Sequence, residues 1–272
     1  MEESKDRLSE EQIRQFHQEG YVVLKGLFTD GEVTEIKDNF MKMHANGPIP
    51  GCFEPVSAEE ANGDVLKQYP RMLHPQKVNE VAFRYMLNPK VMAVLQDLLE
   101  EEPLALQSMF YFKPPGAKGQ ALHQDNYYLG IRPGTCVAAW TAVDPTNEEN
   151  GCIMVVPGSN REDIQCPKLA DPELSFTKDL VELPEGMQPV PVLMDAGDVL
   201  FFNGSVIHGS YPNRSADRFR RAFIAHYAGI SLTHANAYYT PLYRADHTPF
   251  EVDDSEISGP CGTEFDTTLE IH

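Results

Sequence analysis

The second half of the chain consists of short apolar runs separated by turn residues, and this pattern restricts the fold more than any other feature. The runs are residues 104–112, 121–129, 136–143, 152–156, 190–194, 199–202, 206–208 and 221–228. Turn-forming sequences lie between them, among them Pro114-Pro115-Gly116, Asn150-Gly151 and Ala196-Gly197-Asp198. About eight short strands of this kind favour a β-sandwich or a jelly roll.

The first part of the chain shows helical periodicity instead. Ser9 and Gln12 form a capping-box pattern, and Asn88-Pro89 is typical of the start of a helix. Residues 47–76 are rich in Gly, Pro and charge, which predicts a lid or a substrate loop. Residues 163–187 interrupt the strand series, and we expect them to form a surface insertion beside the mouth of the β-barrel.

We expect a single domain over residues 1–272. It would comprise N-terminal helices at about 9–101, a β-barrel core at about 104–229 and a C-terminal extension at 230–272 that carries no recognisable motif. A chain of 272 residues is ordinary for one large β domain, and a hydrophobic fraction of 42% is that of a globular protein.

The net charge of −19 argues against nucleic acid and anionic membranes as partners. Five cysteines without a CxxC pair favour a reduced protein over a disulfide framework or a zinc ribbon. The acidic N-terminus is unlike a signal or transit peptide, and the last residues are unlike a peroxisomal address. These features predict a cytoplasmic protein that acts on a small molecule.

One apolar run contains a pair of side chains suited to a metal. His123 and Asp125 lie two residues apart in a predicted strand, so both should point to the same face. His208, in a later run, supplies a third ligand. Two His and one carboxylate leave three positions of an octahedral iron open, as in non-haem Fe(II) oxygenases. We therefore predict that His123, Asp125 and His208 form a catalytic metal site.

Several further motifs follow in a fixed order. They are Ala139-Trp140-Thr141-Ala142, Asn150-Gly151-Cys152, Val156-Pro157-Gly158-Ser159, Ala196-Gly197-Asp198, His208-Gly209-Ser210 and Phe219-Arg220-Arg221-Ala222. Together with His123-Gln124-Asp125, this set resembles the phytanoyl-CoA dioxygenase family over about residues 8–229. The resemblance implies a double-stranded β-helix with helices packed outside. It also implies an enzyme that uses Fe(II), 2-oxoglutarate and O2 and releases succinate and CO2.

The same resemblance implies the residues that bind the co-substrate. Arg220 would grip the far carboxylate of 2-oxoglutarate with its planar fork, although the spacing from His208 leaves Arg218 as a rival. Ser210 would support the same carboxylate. The remaining co-substrate residues of the prediction are Trp140, Met109, Tyr111 and Arg71.

Two further side chains share strand faces with these residues. Gln107 shares the face of Met109 and is a candidate for substrate contact. His226 is evenly spaced from Arg220, so it could also face the barrel interior.

Hydroxylation of a small metabolite is the expected reaction, with desaturation, epoxidation and ring closure open on the same site. Two other readings remain: a cupin-like metal enzyme that does not use 2-oxoglutarate, and a non-enzymatic binding barrel. The carboxylate of Asp125 argues against a halogenase, which leaves that position to chloride. Acidic residues outnumber basic ones in residues 47–76 and 163–187, which favours an uncharged or cationic substrate over a CoA thioester.

Overall fold

The structure is a computed structural model that describes residues 7–252. In this range the α-helices are α1 (Glu10–Glu19), α2 (Asp30–Ala45), α3 (Ala58–Ala61), α4 (Val65–Gln68), α5 (Glu80–Met86), α6 (Pro89–Leu99) and α7 (Asn126–Leu129). The capping boxes at Ser9 and Thr29 start α1 and α2. The side chain of Asn88 caps α6 ahead of Pro89.

The strands surround the interior in two main sheets. They are β1 (Tyr21–Leu24), β2 (Met72–Leu73), β3 (Pro103–Tyr111), β4 (Gln120–His123), β5 (Val137–Ala142), β6 (Ile153–Val155), β7 (Lys168–Leu169), β8 (Asp179–Leu180), β9 (Val190–Pro191), β10 (Val199–Asn203), β11 (His208–Ser210), β12 (Ala222–Gly229), β13 (Leu242–Tyr243) and β14 (Pro249–Phe250). The larger sheet has the order β1-β10-β5-β12-β3-β13-β14, with β2 beside β3. The smaller sheet has the order β4-β11-β6-β9.

The larger sheet is buried on both faces, which explains its nearly continuous apolar runs. On β5, Val137 and Ala139 pack with the N-terminal helices, whereas Ala138 and Trp140 join side chains of the smaller sheet. Strand β12 alternates in the same way. The strand period of two therefore sends Trp140 and Ile224 towards the interior between the sheets.

The sequence predicts one strand over residues 121–129, and this prediction is wrong for the second half of the run. Strand β4 ends at His123, and Asp125 has helical dihedral angles (φ −60°, ψ −37°) that start the single turn α7. The turn lets Leu129 pack into an apolar cluster at one end of the barrel. The second half of this run is therefore apolar because Leu129 is buried in that cluster, and not because it pairs as a strand.

The two predicted mouth segments contain little regular structure. Residues 47–76 carry the short helices α3 and α4, and residues 163–187 carry the β7–β8 hairpin. Cys52, Cys136 and Cys152 are buried free thiols, whereas Cys166 is disulfide-bonded, so the expectation of a fully reduced chain is wrong at that position. No helix within residues 7–252 combines the length and apolar character needed to cross a bilayer.

Candidate metal centre

Three buried side chains converge at one end of the smaller sheet. His123 ends β4, Asp125 follows two residues later, and His208 begins β11, where it pairs directly with His123. Among residues 7–252 this is the one group of three His, Cys, Asp or Glu residues whose donor atoms all lie within 4.8 Å of one another. Asp125 Oδ1 is 3.5 Å from His123 Nε2 and 3.6 Å from His208 Nε2.

Both imidazoles are held with Nε2 facing the shared centre. His123 Nδ1 lies 2.9 Å from the carbonyl of Ala121, and His208 Nδ1 lies 3.0 Å from the carbonyl of Val206. Because a carbonyl only accepts hydrogen bonds, each Nδ1 carries the proton and each Nε2 offers a lone pair. This arrangement, with the second nitrogen held by a backbone acceptor, is the usual one for histidines that bind metal.

Electrostatics also favours the metal-binding protonation states. Burial, followed by the neighbouring His123, lowers the pKa of His208 to about 4, so its ring is neutral near pH 7. Burial by itself raises the pKa of Asp125, but the neighbouring His208 and His226, with the hydrogen bond from His226, hold it well below its usual range. Two neutral imidazoles and one carboxylate suit Fe(II), so the donor set fits the predicted ion.

His226 holds the second oxygen of the candidate metal carboxylate. Its Nε2 lies 2.9 Å from Asp125 Oδ2, and its Nδ1 lies 3.3 Å from the amide nitrogen of Gln107. The amide nitrogen can only donate, so Nδ1 accepts and Nε2–H donates to Asp125. The expectation that His226 could face the interior agrees with this position. Gln107, which we predict to contact substrate, donates its amide N–H to His226. The Gln107 side chain also borders the space beside Asp125.

A narrow chamber of about 40 Å³ adjoins the three side chains and contains most of the predicted co-substrate residues. Its lining includes Met109, Tyr111, Trp140, Ser210 and Arg220. Arg220 is 3% exposed; its Nε donates to the carbonyl of Gly151 at 2.9 Å, and its guanidinium carbon lies 5.2 Å from the centre of the Trp140 ring.

The rival anchor Arg218 lies elsewhere. It is at the surface and pairs with Glu149, so the structure does not bring it into the chamber. Arg221, which follows Arg220, points away from the interior and forms two hydrogen bonds with Asp144.

Lys113 is a buried residue that sequence reasoning missed. Its side chain is 3% exposed and its Nζ donates to Ser210 Oγ at 2.9 Å. Burial, together with repulsion from Arg220, holds the pKa of Lys113 well below its ordinary value. The signal in the sequence is a lysine at the end of a buried strand, just before Pro114-Pro115, where the chain offers little freedom to turn the side chain towards solvent.

Gln120 also escaped the sequence reasoning. Its amide nitrogen lies 3.1 Å from His123 Nε2, so it contacts the lone pair that faces the candidate metal position. Its place three residues before His123, at the start of the same strand, is the only signal that the sequence offers.

An outer cavity of about 660 Å³ opens beyond this chamber, between the two mouth segments. Tyr111 and Arg220 border both spaces. Arg71 lines the outer cavity and not the inner chamber, and its Nη1 donates to the Tyr111 hydroxyl at 3.2 Å. The position of Arg71 therefore supports a contact with the co-substrate less well than the positions of the other predicted residues do.

The charge of the outer cavity is opposite to that of the chain. Its basic lining residues are Lys67, Arg71, Lys113, Lys118, Lys178 and Arg220, against one acidic residue, Asp64. Asp64 is partly used in capping α4 through a hydrogen bond from the amide of Leu66. The expectation of an uncharged or cationic substrate rests on an excess of acids in whole segments. That excess is absent from the residues that line this cavity, because most of those acids lie outside it.

Comparisons with known proteins agree with this geometry. Residues 16–222 match the family model described as "Phytanoyl-CoA dioxygenase (PhyH)". A Bos taurus protein named "Phytanoyl-CoA dioxygenase, peroxisomal" is 26% identical over 232 residues, covering 81% of this chain and 68% of that protein. A Caenorhabditis elegans protein named "Probable phytanoyl-CoA dioxygenase" is 28% identical over 249 residues, covering 83% of this chain and 77% of that protein.

A similar solved structure is the epimerase SnoN in complex with Fe3+, alpha ketoglutarate and nogalamycin RO. Its TM-score is 0.67 at 21% sequence identity, covering 82% of this chain and 84% of that chain. At this identity the likeness concerns the fold, and it confirms the predicted jelly-roll architecture with flanking helices.

Proposed function

Since the chain belongs to the phytanoyl-CoA dioxygenase family, a group of Fe(II)- and 2-oxoglutarate-dependent dioxygenases, we propose that it hydroxylates a small organic molecule that carries a negative charge. The observation that carries the proposal is the buried group of His123, Asp125 and His208, whose donor atoms face one point. Iron held by these three side chains would supply the oxidising chemistry that couples the conversion of 2-oxoglutarate and O2 into succinate and CO2 to the oxidation of a substrate C–H bond.

The protein side chains have separate tasks around this ion. His123 and His208 would hold it through Nε2 and Asp125 through Oδ1, while His226 keeps the carboxylate in place by donating a hydrogen bond to Oδ2. Arg220 binds the far carboxylate of 2-oxoglutarate, with Ser210 beside it. Trp140, Met109 and Tyr111 line the same chamber.

The outer cavity supports the choice of substrate. Two narrow spaces of about 40 Å³ each adjoin the candidate metal ligands: the chamber that Arg220 borders and a second space that Gln107 borders. The bulk of a substrate must therefore lie in the outer cavity of about 660 Å³. That volume is within the range of small-molecule sites. Phe112, Phe176 and Leu169 offer apolar contact, and Leu169 is 86% exposed on the rim. The basic lining then favours an apolar molecule with a carboxylate or phosphate group.

The decisive experiment is anaerobic reconstitution with Fe(II), followed by measurement of succinate in the presence of a metabolite panel. The wild-type protein should release succinate, and His208→Ala should lose this activity. His17→Ala, which changes an exposed histidine on α1, is the matched control and should keep it. Wild-type turnover by His208→Ala would remove His208 from the metal site.

Substrate charge is tested separately by charge reversal at the rim. Lys67→Glu should raise the KM for an anionic substrate several-fold and leave kcat nearly unchanged, since Lys67 lines the outer cavity at a distance from the metal ligands. Lys77→Glu, an exposed lysine outside the cavity, is the control. An equal KM for both variants would contradict an anionic substrate.

The buried Arg220 favours this function over a cupin-like enzyme without 2-oxoglutarate, which has no need for a buried guanidinium beside the metal. The lone pairs of His123 and His208 that face Asp125 favour it over a non-enzymatic barrel. We keep the cytoplasm as the proposed compartment; fluorescence microscopy of the tagged full-length chain would test it against the peroxisome, where the bovine relative's name places that protein.

A further inference from the structure

Two cationic side chains are buried side by side without a carboxylate partner among residues 7–252. Lys113 and Arg220 are each 3% exposed. The side-chain hydrogen bonds of this pair go to neutral groups, the Ser210 hydroxyl and the Gly151 carbonyl. Asp144 is the carboxylate whose negative charge acts to raise the pKa of Arg220, but its side chain is hydrogen-bonded to Arg221 instead.

The backbone fixes this pair in place. The carbonyl of Lys113 accepts hydrogen bonds from the backbone N–H of Arg220 at 3.1 Å and from Asn213 Nδ2 at 3.0 Å. Lys113 also has a positive φ of 40°, a conformation that non-glycine residues rarely adopt. Such strain persists only where the surrounding structure holds it, and it is common where a ligand is bound.

Gly151 makes room for the lysine side chain. A Cβ at this position would lie 2.5 Å from Lys113 Cε and 2.7 Å from the carbonyl oxygen of Tyr211. The same residue offers its carbonyl to Arg220. We expected Asn150-Gly151 to be only a turn; the structure shows that it also shapes the space for both cations.

Burying two like charges together is costly unless an anion joins them. Repulsion between the two adds to the loss of hydration that each suffers, and both effects oppose the charged form of Lys113. A carboxylate between the two would reverse this balance. Lys113 borders the outer cavity, and its ammonium donates to the hydroxyl of Ser210, a residue that lines the chamber beside His208 together with Arg220.

We propose that Lys113 is a second cationic group for the far carboxylate of the co-substrate, which it binds together with Arg220 and Ser210. The proposal rests on the 2-oxoglutarate dependence argued above. It makes the chamber selective for a 2-oxo acid that has a second carboxylate, because a ligand without one leaves both cations buried and unpaired.

The test is calorimetric binding of two acids to the anaerobic Fe(II) protein without substrate. The acids are 2-oxoglutarate and 2-oxopentanoate, which has the same chain length but lacks the far carboxylate. Lys113→Met should raise the Kd of 2-oxoglutarate on the order of 30-fold or more, as expected for the loss of one partner of a buried charge pair. The Kd of 2-oxopentanoate should change by less than about threefold, because that acid makes no such pair.

Unfolding in denaturant gives a readout that does not depend on activity. Lys113→Met should be at least as stable as the wild-type protein, since it removes a buried charge and keeps the volume. Lys77→Met, at an exposed position, should change neither stability nor binding. Unchanged 2-oxoglutarate binding by Lys113→Met, or an equal loss for both acids, would overturn the proposal.

A second variant keeps the test open if Lys113→Met does not fold. Ser210→Ala removes the hydroxyl that directs the ammonium, and it should weaken 2-oxoglutarate several-fold while sparing 2-oxopentanoate. An equal effect on both acids would overturn the proposal. Absence of any 2-oxoglutarate binding by the wild-type protein is a different result, because it would contradict the proposed function and not the role of Lys113 alone.

Discussion

Replacing His226 with Leu should weaken metal binding without removing a metal ligand. The imidazole donates to Asp125 Oδ2 at 2.9 Å, whereas the two candidate ligand histidines face Oδ1. Leucine has a similar volume but no donor, so Asp125 would lose the hydrogen bond that fixes its orientation. The ligand set of His123, Asp125 and His208 stays complete in this variant.

The magnitude follows from burial. His226 is 2% exposed and Asp125 9% exposed, so water cannot easily replace the lost donor. Loss of such an outer partner of a ligand typically lowers metal affinity by about 10- to 100-fold. This range corresponds to about 1.4–2.7 kcal/mol of binding free energy. Gln107→Ala should cost less, roughly a few-fold, because Gln107 only fixes which nitrogen of His226 carries the proton.

The assay is an anaerobic competition titration of Fe(II) or Co(II) against a chelator of known affinity. His17→Leu, on the exposed side of α1, is the control and should bind metal like the wild-type protein. The expected order of affinity is wild type, then Gln107→Ala, then His226→Leu, then His208→Ala. If His226→Leu binds metal within twofold of the wild type, the hydrogen bond does not position Asp125, and the reasoning is refuted.

Three further outcomes are expected. Arg220→Ala should raise the apparent KM for 2-oxoglutarate by tens-fold or more, which corresponds to about 2–5 kcal/mol. Arg218→Ala should have little effect, because Arg218 pairs with Glu149 at the surface. The reverse ranking in succinate assays would assign the binding of the far carboxylate to Arg218. Chloride buffer should give no chlorinated product by mass spectrometry, because Asp125 occupies the position that halogenases leave open. Burial, with the charges of Lys77 and His226, lowers the pKa of His74 to about 4. Its stabilising contribution is therefore present above pH 6.5 and is lost as the pH falls towards 4. Between pH 7 and 5 the loss is ~2 kcal/mol, and urea unfolding should show a smaller loss for His74→Asn.

The sequence by itself determined the architecture and the chemical type of the site. Turn residues and apolar runs are local features, so β3, β5, β10 and β12 lie within about two residues of their predicted bounds. The family resemblance predicted Trp140 and Met109 beside the co-substrate, and both line the chamber next to the candidate metal ligands.

Only the tertiary structure decided which side chains meet and which charges are buried. Asp125 lies on a helical turn and not on the predicted strand, yet its carboxylate still reaches the two histidines, because pairing of β4 with β11 brings them together across 85 residues of chain. His226 contacts Asp125 across a similar separation. Such contacts depend on the sum of many distant packing interactions, which no local pattern encodes.

The same reason explains the charges. Lys113 and Lys118 look alike in the sequence, but one is 3% exposed and the other reaches the Pro172 carbonyl near the surface. Net charge is a property of composition, whereas the field inside a cavity depends on which side chains line it. A chain with a net charge of −19 therefore surrounds a cavity lined mainly by cations, because folding turns most of its carboxylates to solvent, where their hydration is retained.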